Sequence, residues 1–214
     1  NTKLNKDLHL EMRGNLTYNQ NKYVYIDDPD YPYVWQTWTG KPLSQTTGYI
    51  AEGLFNSDEE ILLHADQTGL GSTPKIGDIK YRDINGDGKI TSEDQVMISK
   101  YGNVPRLQYG LGLSVDWKNF DLGVFFNGSS KVTKCIQGMA PFHGNESGNR
   151  TVMQWVADNY WSEANPNPNA TYPRLGLTDA DDANNTPNST FWMRDFSFLR
   201  WKSLEIGYTF KFCR

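Results

Sequence analysis

Strict alternation of apolar and polar residues constrains this chain more than any other feature. From Leu8 to Tyr18 the apolar residues share one face, and the pattern recurs over Leu107–Trp117, Phe120–Phe126 and Leu204–Phe212. A period of two places successive side chains on opposite faces of a β-strand. Strands of soluble proteins usually span about five or six residues. The longer runs seen here favour strands that cross a membrane as part of a β-barrel.

Two weaker strand signals accompany these runs. The last run extends back to Phe196, which predicts that Phe198, Arg200 and Lys202 share its outer apolar face. A further strand is expected within residues 43–54.

The connections between strands are very unequal in length. Trp117 to Phe120 predicts a tight hairpin, whereas 56–106 and 129–195 are long, polar and rich in Gly, Asn and Pro. Long connections without regular structure are uncommon inside compact soluble domains. Short turns on one side and long loops on the other are typical of outer-membrane barrels.

Composition excludes several other classes of protein. The chain has 214 residues and a net charge of −4, which argues against nucleic-acid binding, and aromatic residues make up 14%. No apolar run is long enough for a transmembrane helix, and Cys135 and Cys213 form no CxxC pair. His9, His64 and His143 lie far from any nucleophile motif, so no catalytic triad is expected and the protein is not predicted to be an enzyme.

The sharpest local motif is a twelve-residue segment with the spacing of a calcium-binding loop. Oxygen ligands are expected at positions 1, 3, 5, 7, 9 and 12 of such a loop, and a glycine at position 6 permits its sharp turn. Here Gly88 holds position 6 and Ile90 is the apolar anchor. The predicted ligands are Asp83, Asn85, Asp87, Lys89 through its carbonyl, Thr91 and Asp94.

This motif predicts a structural Ca²⁺ rather than a calcium sensor. The entering segment 77–81 is expected to be extended, so the paired helices of a sensor are missing. The other interpretation is an Asp-, Asn- and Gly-rich turn without a metal. A helix over 57–63, with Ser57 as N-cap and Glu60 completing a capping box, is predicted nearby.

Weaker candidates lie in the second long connection. Trp155, Tyr160 and Trp161, on a predicted helix over 151–161, are either stacking platforms for a substrate or the packing face of that helix. Asp179, Asp181 and Asp182 are expected to form a solvated acidic loop rather than a second cation site.

Five motifs, in order, resemble the SusC/RagA-type TonB-linked outer-membrane proteins. The first is a Gly-Tyr-Ile-Ala-Glu-Gly-Leu-Phe run, and the second is the acidic segment that ends in the first half of the calcium-type loop. The other three lie in and around the late strands. The segments are 48–55, 77–88, 118–128, 171–175 and 198–210.

The resemblance implies the C-terminal portion of a 22-stranded barrel in the bacterial outer membrane, with long extracellular loops. Members of the family, found in Bacteroidetes, import oligosaccharides or peptides. They pair with a SusD-like surface lipoprotein, and TonB–ExbBD drives them through other parts of the chain. Membrane lipid would contact the outer face of the barrel, where Arg200 and Lys202 would meet anionic headgroups. No nucleic-acid partner is implied.

Residues 1–214 are then expected to be a barrel portion that is incomplete at both ends and does not transport alone. Three strands would run toward the periplasm (7–19, 107–117 and 196–212), and two would run outward (43–55 and 120–128). In this arrangement the 20–42 connection would be a long periplasmic turn, where short turns are expected. Segments 56–106 and 129–195 would be the long external loops. The alternative is a secreted, calcium-stabilised β-sandwich that binds carbohydrate.

Overall fold

The computed structural model describes residues 2–5, 7–137, 152–176, 178 and 180–210. His143, Asp179, Phe212 and Cys213 therefore lie outside the described residues, as does the predicted helix start at Thr151. Within the described part of the chain, no helix combines the length and apolar character needed to span a bilayer.

Strands dominate the secondary structure, as the alternation predicts. The helices are α1 (Asp58–Leu63) and α2 (Gln154–Ala157), with single 3₁₀ turns at Val34–Gln36, Thr68–Leu70 and Ser92–Asp94. In chain order the strands are β1 (Thr2–Asn5), β2 (Leu8–Tyr18), β3 (Thr46–Gly48), β4 (Ala51–Leu54), β5 (Ile79–Tyr81), β6 (Val96–Ser99), β7 (Leu107–Trp117), β8 (Phe120–Ser130), β9 (Thr133–Cys135), β10 (Met193–Asp195) and β11 (Phe198–Tyr208).

The chain divides into two compact units. We call the first, made of residues 1–21, 101–133 and 195–214, the sheet unit. It contains a five-stranded antiparallel sheet in the order β1-β2-β7-β8-β11. We call the second, made of residues 22–100 and 134–194, the loop unit.

The pairing of β2 with β7 corrects the predicted strand directions. Leu8 pairs with Trp117 and Tyr18 with Leu107, so the two strands are antiparallel neighbours with no strand between them. Residues 46–54 instead form β3 and β4, which pair with β6 and β5 in small two-stranded sheets. The prediction of a barrel strand over 43–55 was therefore wrong. Both long connections therefore leave the same end of the five-stranded sheet. No long turn over residues 20–42 is needed at the opposite end.

One face of the five-stranded sheet is apolar and exposed. The pairing aligns Met12, Leu113, Val124 and Leu204 in a single row across four strands. Met12 is 67% exposed on this face, and Leu204 is 47% exposed. Soluble monomers rarely leave so broad an apolar surface uncovered.

Aromatic rings end this face at the β7–β8 hairpin. Trp117 pairs with Phe120, and the rings of Phe120 and Tyr208 lie 4.6 Å apart. Lys118, whose φ is +57°, closes the turn and places its ammonium 5.4 Å from the Trp117 ring. Aromatic residues that border an apolar band are typical of membrane barrels.

A β-bulge in β11 overturns the predicted position of Arg200. The register shifts between Trp201 and Ser203, so Trp201 pairs with Phe126 on the apolar face. Arg200 pairs with Asn127 in the polar row. The bulge adds one residue to β11, and the alternation therefore reverses on its N-terminal side.

The same bulge corrects the predicted positions of Phe198 and Lys202. Phe198 pairs with Ser129 of the polar row rather than with the apolar row. Together with Lys202 it lines a small groove whose wall includes Asn15 and Gln108. Neither residue belongs to the outer apolar face.

The loop unit has a hydrophobic core of its own. Its two segments are joined by the backbone of Tyr49, which donates to the Asn188 carbonyl at 2.8 Å and accepts from Thr190 at 3.0 Å. The buried Asn185 accepts from the backbone N–H of Ile79 and is itself contacted by the indole of Trp192. The core contains Tyr49, Leu54, Ile79, Tyr81, Ile90, Ile136, Val156, Trp161, Ala170, Tyr172 and Trp192.

Candidate functional site

The calcium-type loop lies between β5 and β6 and is fastened to the loop unit by its apolar anchor. Ile90 is fully buried in the core. Its backbone N–H donates to the Asp66 carbonyl at 2.8 Å, and the N–H of Asp66 donates to the Gly88 carbonyl at 2.9 Å. The entering strand β5 is extended, as expected from the sequence.

The first half of the loop closes around two glycines with positive φ. Gly86 has φ +76° and Gly88 has φ +80°, a region that residues with a Cβ rarely adopt. The Asp83 carboxylate accepts from the N–H groups of Gly86 at 2.6 Å and Gly88 at 2.8 Å. Asp87 accepts from the Lys89 N–H at 2.8 Å. These bonds hold the carboxylates of Asp83 and Asp87 on one tight turn.

Asp94 has a structural role that its position in the motif did not reveal. Its carboxylate is fully buried and accepts from the N–H of Ile84 at 2.8 Å and of Asn85 at 3.3 Å. The second oxygen accepts from the Thr91 N–H at 2.8 Å. The Thr91 hydroxyl in turn accepts from the Glu93 N–H at 3.2 Å, which forms a capping box. Both oxygens of Asp94 therefore already satisfy partly buried backbone donors.

The motif spacing did not predict Glu93 as a ligand. The side-chain amide of Asn85 donates to Asp87 at 3.2 Å and to Glu93 at 3.2 Å. A single amide nitrogen thus bridges two carboxylates, one from the middle of the loop and one from its end. Only the loop conformation brings Glu93 to this point. Across the described residues, no three Asp, Glu, His or Cys side chains converge as a ready-made metal site.

The loop carries the types of ligand that a hard cation prefers. Side-chain oxygens of Asp83, Asn85 and Asp87 lie on one turn, and the Glu93 carboxylate faces the Asn85 amide. Carboxylate and amide oxygens are the ligands that calcium prefers in proteins.

The three aromatic candidates do not form one surface. Trp161 is 7% exposed and belongs to the core, where its ring covers Gly77. Tyr160 forms an isolated bridge with Tyr172. Trp155 is 46% exposed and packs edge-on against Tyr172 at 5.5 Å.

The predicted helix over 151–161 is only one turn long, because α2 spans Gln154–Ala157. Beyond it the backbone turns so that the Trp161 N–H donates to the Tyr172 carbonyl at 3.0 Å. By contrast, α1 begins as predicted, with the Ser57 hydroxyl accepting from the Glu60 N–H at 3.2 Å. The Glu60 carboxylate accepts from the N–H of Asn56 at 2.8 Å, one residue before the N-cap.

Tyr160 and Trp161 line a cleft of about 1170 Å³ in the loop unit. One wall is formed by a charged network in which Arg174 contacts the fully buried Asp78 at 2.8 Å and Asp181 at 2.9 Å. Lys75 also pairs with Asp181, at 2.5 Å. The lining therefore combines aromatic surface with ionised groups.

Burial and charge oppose each other in this network. Burial raises the pKa of Asp78, although Arg174 and the surrounding donors pull it down. Burial disfavours the charged form of Arg174, but Asp78 and Asp181 outweigh it and raise the pKa of the guanidinium. Asp182 is also buried and accepts from the Gly176 N–H at 2.8 Å. The expectation of a solvated acidic loop was therefore wrong for Asp182, because that carboxylate is buried and accepts a hydrogen bond from a backbone N–H group.

Comparison with known proteins gives a curated relative and several solved structures of similar fold. No family model matches the chain. It is 30% identical over 169 residues to TonB-dependent receptor P26 of Formosa agariphila, an alignment that covers 79% of this chain and 16% of that protein. The chain thus spans a small part of the curated relative.

Solved structures give the same fold. A structure of the RagAB peptide transporter matches with a TM-score of 0.55 at 18% identity, covering 97% of this chain and 21% of that one. The RagAB peptide importer in its open-open state matches with a TM-score of 0.58 at 18% identity. In its closed-closed state the TM-score is 0.57 at 17% identity.

These findings confirm the resemblance carried by the five motifs, the partial-barrel fold class and the outer-membrane location. The names of the relatives are those of a receptor and of transporters, which agrees with the prediction of a protein that is not an enzyme.

Proposed function

We propose that this chain, a segment of a TonB-dependent receptor barrel of the outer membrane, forms part of an active importer of oligosaccharides or peptides. The sheet unit supplies wall strands of the barrel, and the loop unit supplies external loops that contact the cargo. Alone, the segment does not transport, because five strands cannot enclose a pore.

The observation that carries the proposal is the exposed apolar face of the five-stranded sheet. Met12, Leu111, Leu204 and Ile206 stand on this face, and Ile206 is 73% exposed. The opposite face carries polar pairs such as His9 and Asp116, 3.2 Å apart. Apolar outside and polar inside is the arrangement of membrane barrels. A carbohydrate-binding sandwich would instead cover its apolar face with a second sheet.

The partners follow from the family resemblance. A SusD-like surface lipoprotein would assemble with the receptor, and TonB–ExbBD would energise it through parts of the protein outside this segment. Structures of RagAB, described as a peptide transporter, are among the neighbours of this fold.

The test uses the full-length protein in its native bacterium. An affinity-tagged copy should fractionate with the outer membrane and co-purify with a surface lipoprotein. Growth on the cargo should require both TonB and the receptor. A soluble, monomeric product that supports growth without TonB would contradict the proposal.

We also propose a structural Ca²⁺ on the calcium-type loop. Asp83, Asn85 and Asp87 would supply side-chain oxygens and Lys89 its carbonyl, as in the predicted set. Thr91 and Asp94 belong to that set too, yet both serve the capping box and the Asp94 carboxylate is fully buried, unlike those of Asp83 and Asp87. We therefore assign the closing carboxylate to Glu93, whose oxygen faces the Asn85 amide.

Calcium titration of the detergent-purified protein tests this assignment. Asp87→Asn and Glu93→Gln should each weaken calcium binding, whereas Asp158→Asn, a charge change on an exposed residue elsewhere in the loop unit, should leave it unchanged. Calcium affinity that is lost in Asp94→Asn but intact in Glu93→Gln would return the closing role to Asp94.

A further inference from the structure

The cleft of the loop unit has the size and lining of a site for a chain-like ligand. Its volume of about 1170 Å³ exceeds the range of roughly 300–1,000 Å³ that small-molecule pockets usually occupy. Three prolines (Pro74, Pro166 and Pro168) contribute to its walls, next to Tyr160 and Trp161. These rigid, largely apolar surfaces suit the body of an extended ligand rather than a compact metabolite.

The lining carries more carboxylates than cationic side chains. Proline has no backbone N–H, so its three positions offer carbonyl oxygens only. The carboxylates of Asp58, Glu163 and Asp181 add ionised acceptors. A ligand that carries donors or positive charge can therefore pair with these carboxylates.

The two cations of the lining are already neutralised. Lys75 and Arg174 both pair with Asp181, at 2.5 Å and 2.9 Å. Arg174 also contacts the buried Asp78 behind the wall at 2.8 Å. Asp78 and Asp181 together balance the charges of Arg174 and Lys75, so the exposed Asp58 and Glu163 remain as the net negative charge at the cleft. The cleft therefore favours positive charge.

We propose that this cleft binds an extended peptide segment that carries lysine or arginine side chains. The aliphatic stems of these side chains pack on the proline and aromatic surfaces. Their charged ends pair with Asp58 and Glu163. This inference rests on the proposed import function and names the cargo class that the loop unit prefers.

The experiment measures peptide binding to the full-length protein in detergent by fluorescence anisotropy. The probe is a short labelled peptide of alternating alanine and lysine, and its alanine–glutamate counterpart is the charge control. The variant is Asp58→Asn combined with Glu163→Gln. Glu59→Gln, on the same helix as Asp58 but outside the cleft, is the matched control.

The lysine peptide should bind and the glutamate peptide should not. The double variant should raise the Kd for the lysine peptide about tenfold, as expected for the loss of two solvent-accessible ion pairs. Added salt should reduce the difference in Kd between the variant and the unmodified protein. Glu59→Gln should bind like the unmodified protein. Near-UV circular dichroism of each variant establishes that the loop unit is folded.

Three outcomes would overturn the proposal. Equal binding of both peptides shows that charge does not select the ligand, and an unchanged Kd in the double variant shows that the peptide binds elsewhere. Binding of a neutral oligosaccharide in competition with the lysine peptide shows that the cleft is not specific for peptides. Each outcome leaves the TonB-dependent growth test intact, so a failure here is distinguishable from failure of the proposed function.

Discussion

Asp94→Asn should loosen the calcium-type loop even when no calcium is present. The Asp94 carboxylate accepts from three backbone N–H groups, those of Ile84, Asn85 and Thr91. Asparagine keeps one acceptor oxygen, but its side-chain NH₂ group replaces the other. That NH₂ group would face a backbone N–H, so two donors would meet without an acceptor. An unsatisfied buried N–H costs about 1–3 kcal/mol, and the loss of charge weakens the remaining bonds. We expect a local destabilisation of about 3 kcal/mol.

Hydrogen exchange of individual amides is the sharpest assay for this change. In the presence of a calcium chelator, the amides of Ile84, Asn85 and Thr91 should exchange about a hundredfold faster in Asp94→Asn, because each tenfold corresponds to about 1.4 kcal/mol. Asp87→Asn is the matched control, since its carboxylate is exposed and it should change exchange only when calcium is added.

The reasoning would be refuted if the Asp94 variant exchanged like the unmodified protein in chelator and differed only with calcium. That pattern would make Asp94 a metal ligand rather than a clamp on the backbone.

Three further perturbations test the two units separately. Gly77→Ala should lower the thermal unfolding temperature of the loop unit by several degrees, because Gly77 has φ +88° and a Cβ there would overlap the ring of Trp161; an unchanged melting curve would exclude this packing. Leu111→Arg, on the apolar face, should reduce the free energy of folding into vesicles by about 2–4 kcal/mol, whereas Ser114→Arg on the polar face should cost little. Equal costs in a denaturant titration would remove the distinction between the faces. Trp201→Cys should react with a lipid-soluble maleimide and resist a charged one, and the reverse would show that the bulge does not turn residue 201 toward lipid.

The long strands were predictable because their signal is local. In β2, β7 and β8 the polarity of each residue indicates which face of the strand it occupies. A run of about a dozen residues repeats this signal many times. The bulge in β11 was not predictable in this way. A single inserted residue leaves the sequence looking periodic while it reverses the face of Arg200.

The loop unit was largely hidden from sequence reasoning because its contacts are distant along the chain. The short strands within 46–54 resemble a barrel strand until β5 and β6 are known to pair with them. Likewise, nothing near Asn185 indicates that it would contact Ile79 and support Trp192.

In the calcium-type loop, spacing identified the segment and its glycine turn. It did not distinguish a carboxylate that faces outward from one that satisfies the backbone. The difference between Glu93 and Asp94 depends on the capping box, which forms only when the chain turns at Thr91.

The shared core of residues 22–100 and 134–194 has a consequence for how this part of the chain can diversify. Tyr49 is hydrogen-bonded to Asn188 and Thr190, and Tyr81 donates to the Asn184 carbonyl at 2.9 Å, so each segment completes the other. Recombination that exchanges only one of these two segments would leave each segment without the partner that completes its core. The two segments should therefore change as a matched pair, and chimeric proteins should be built by transplanting both together.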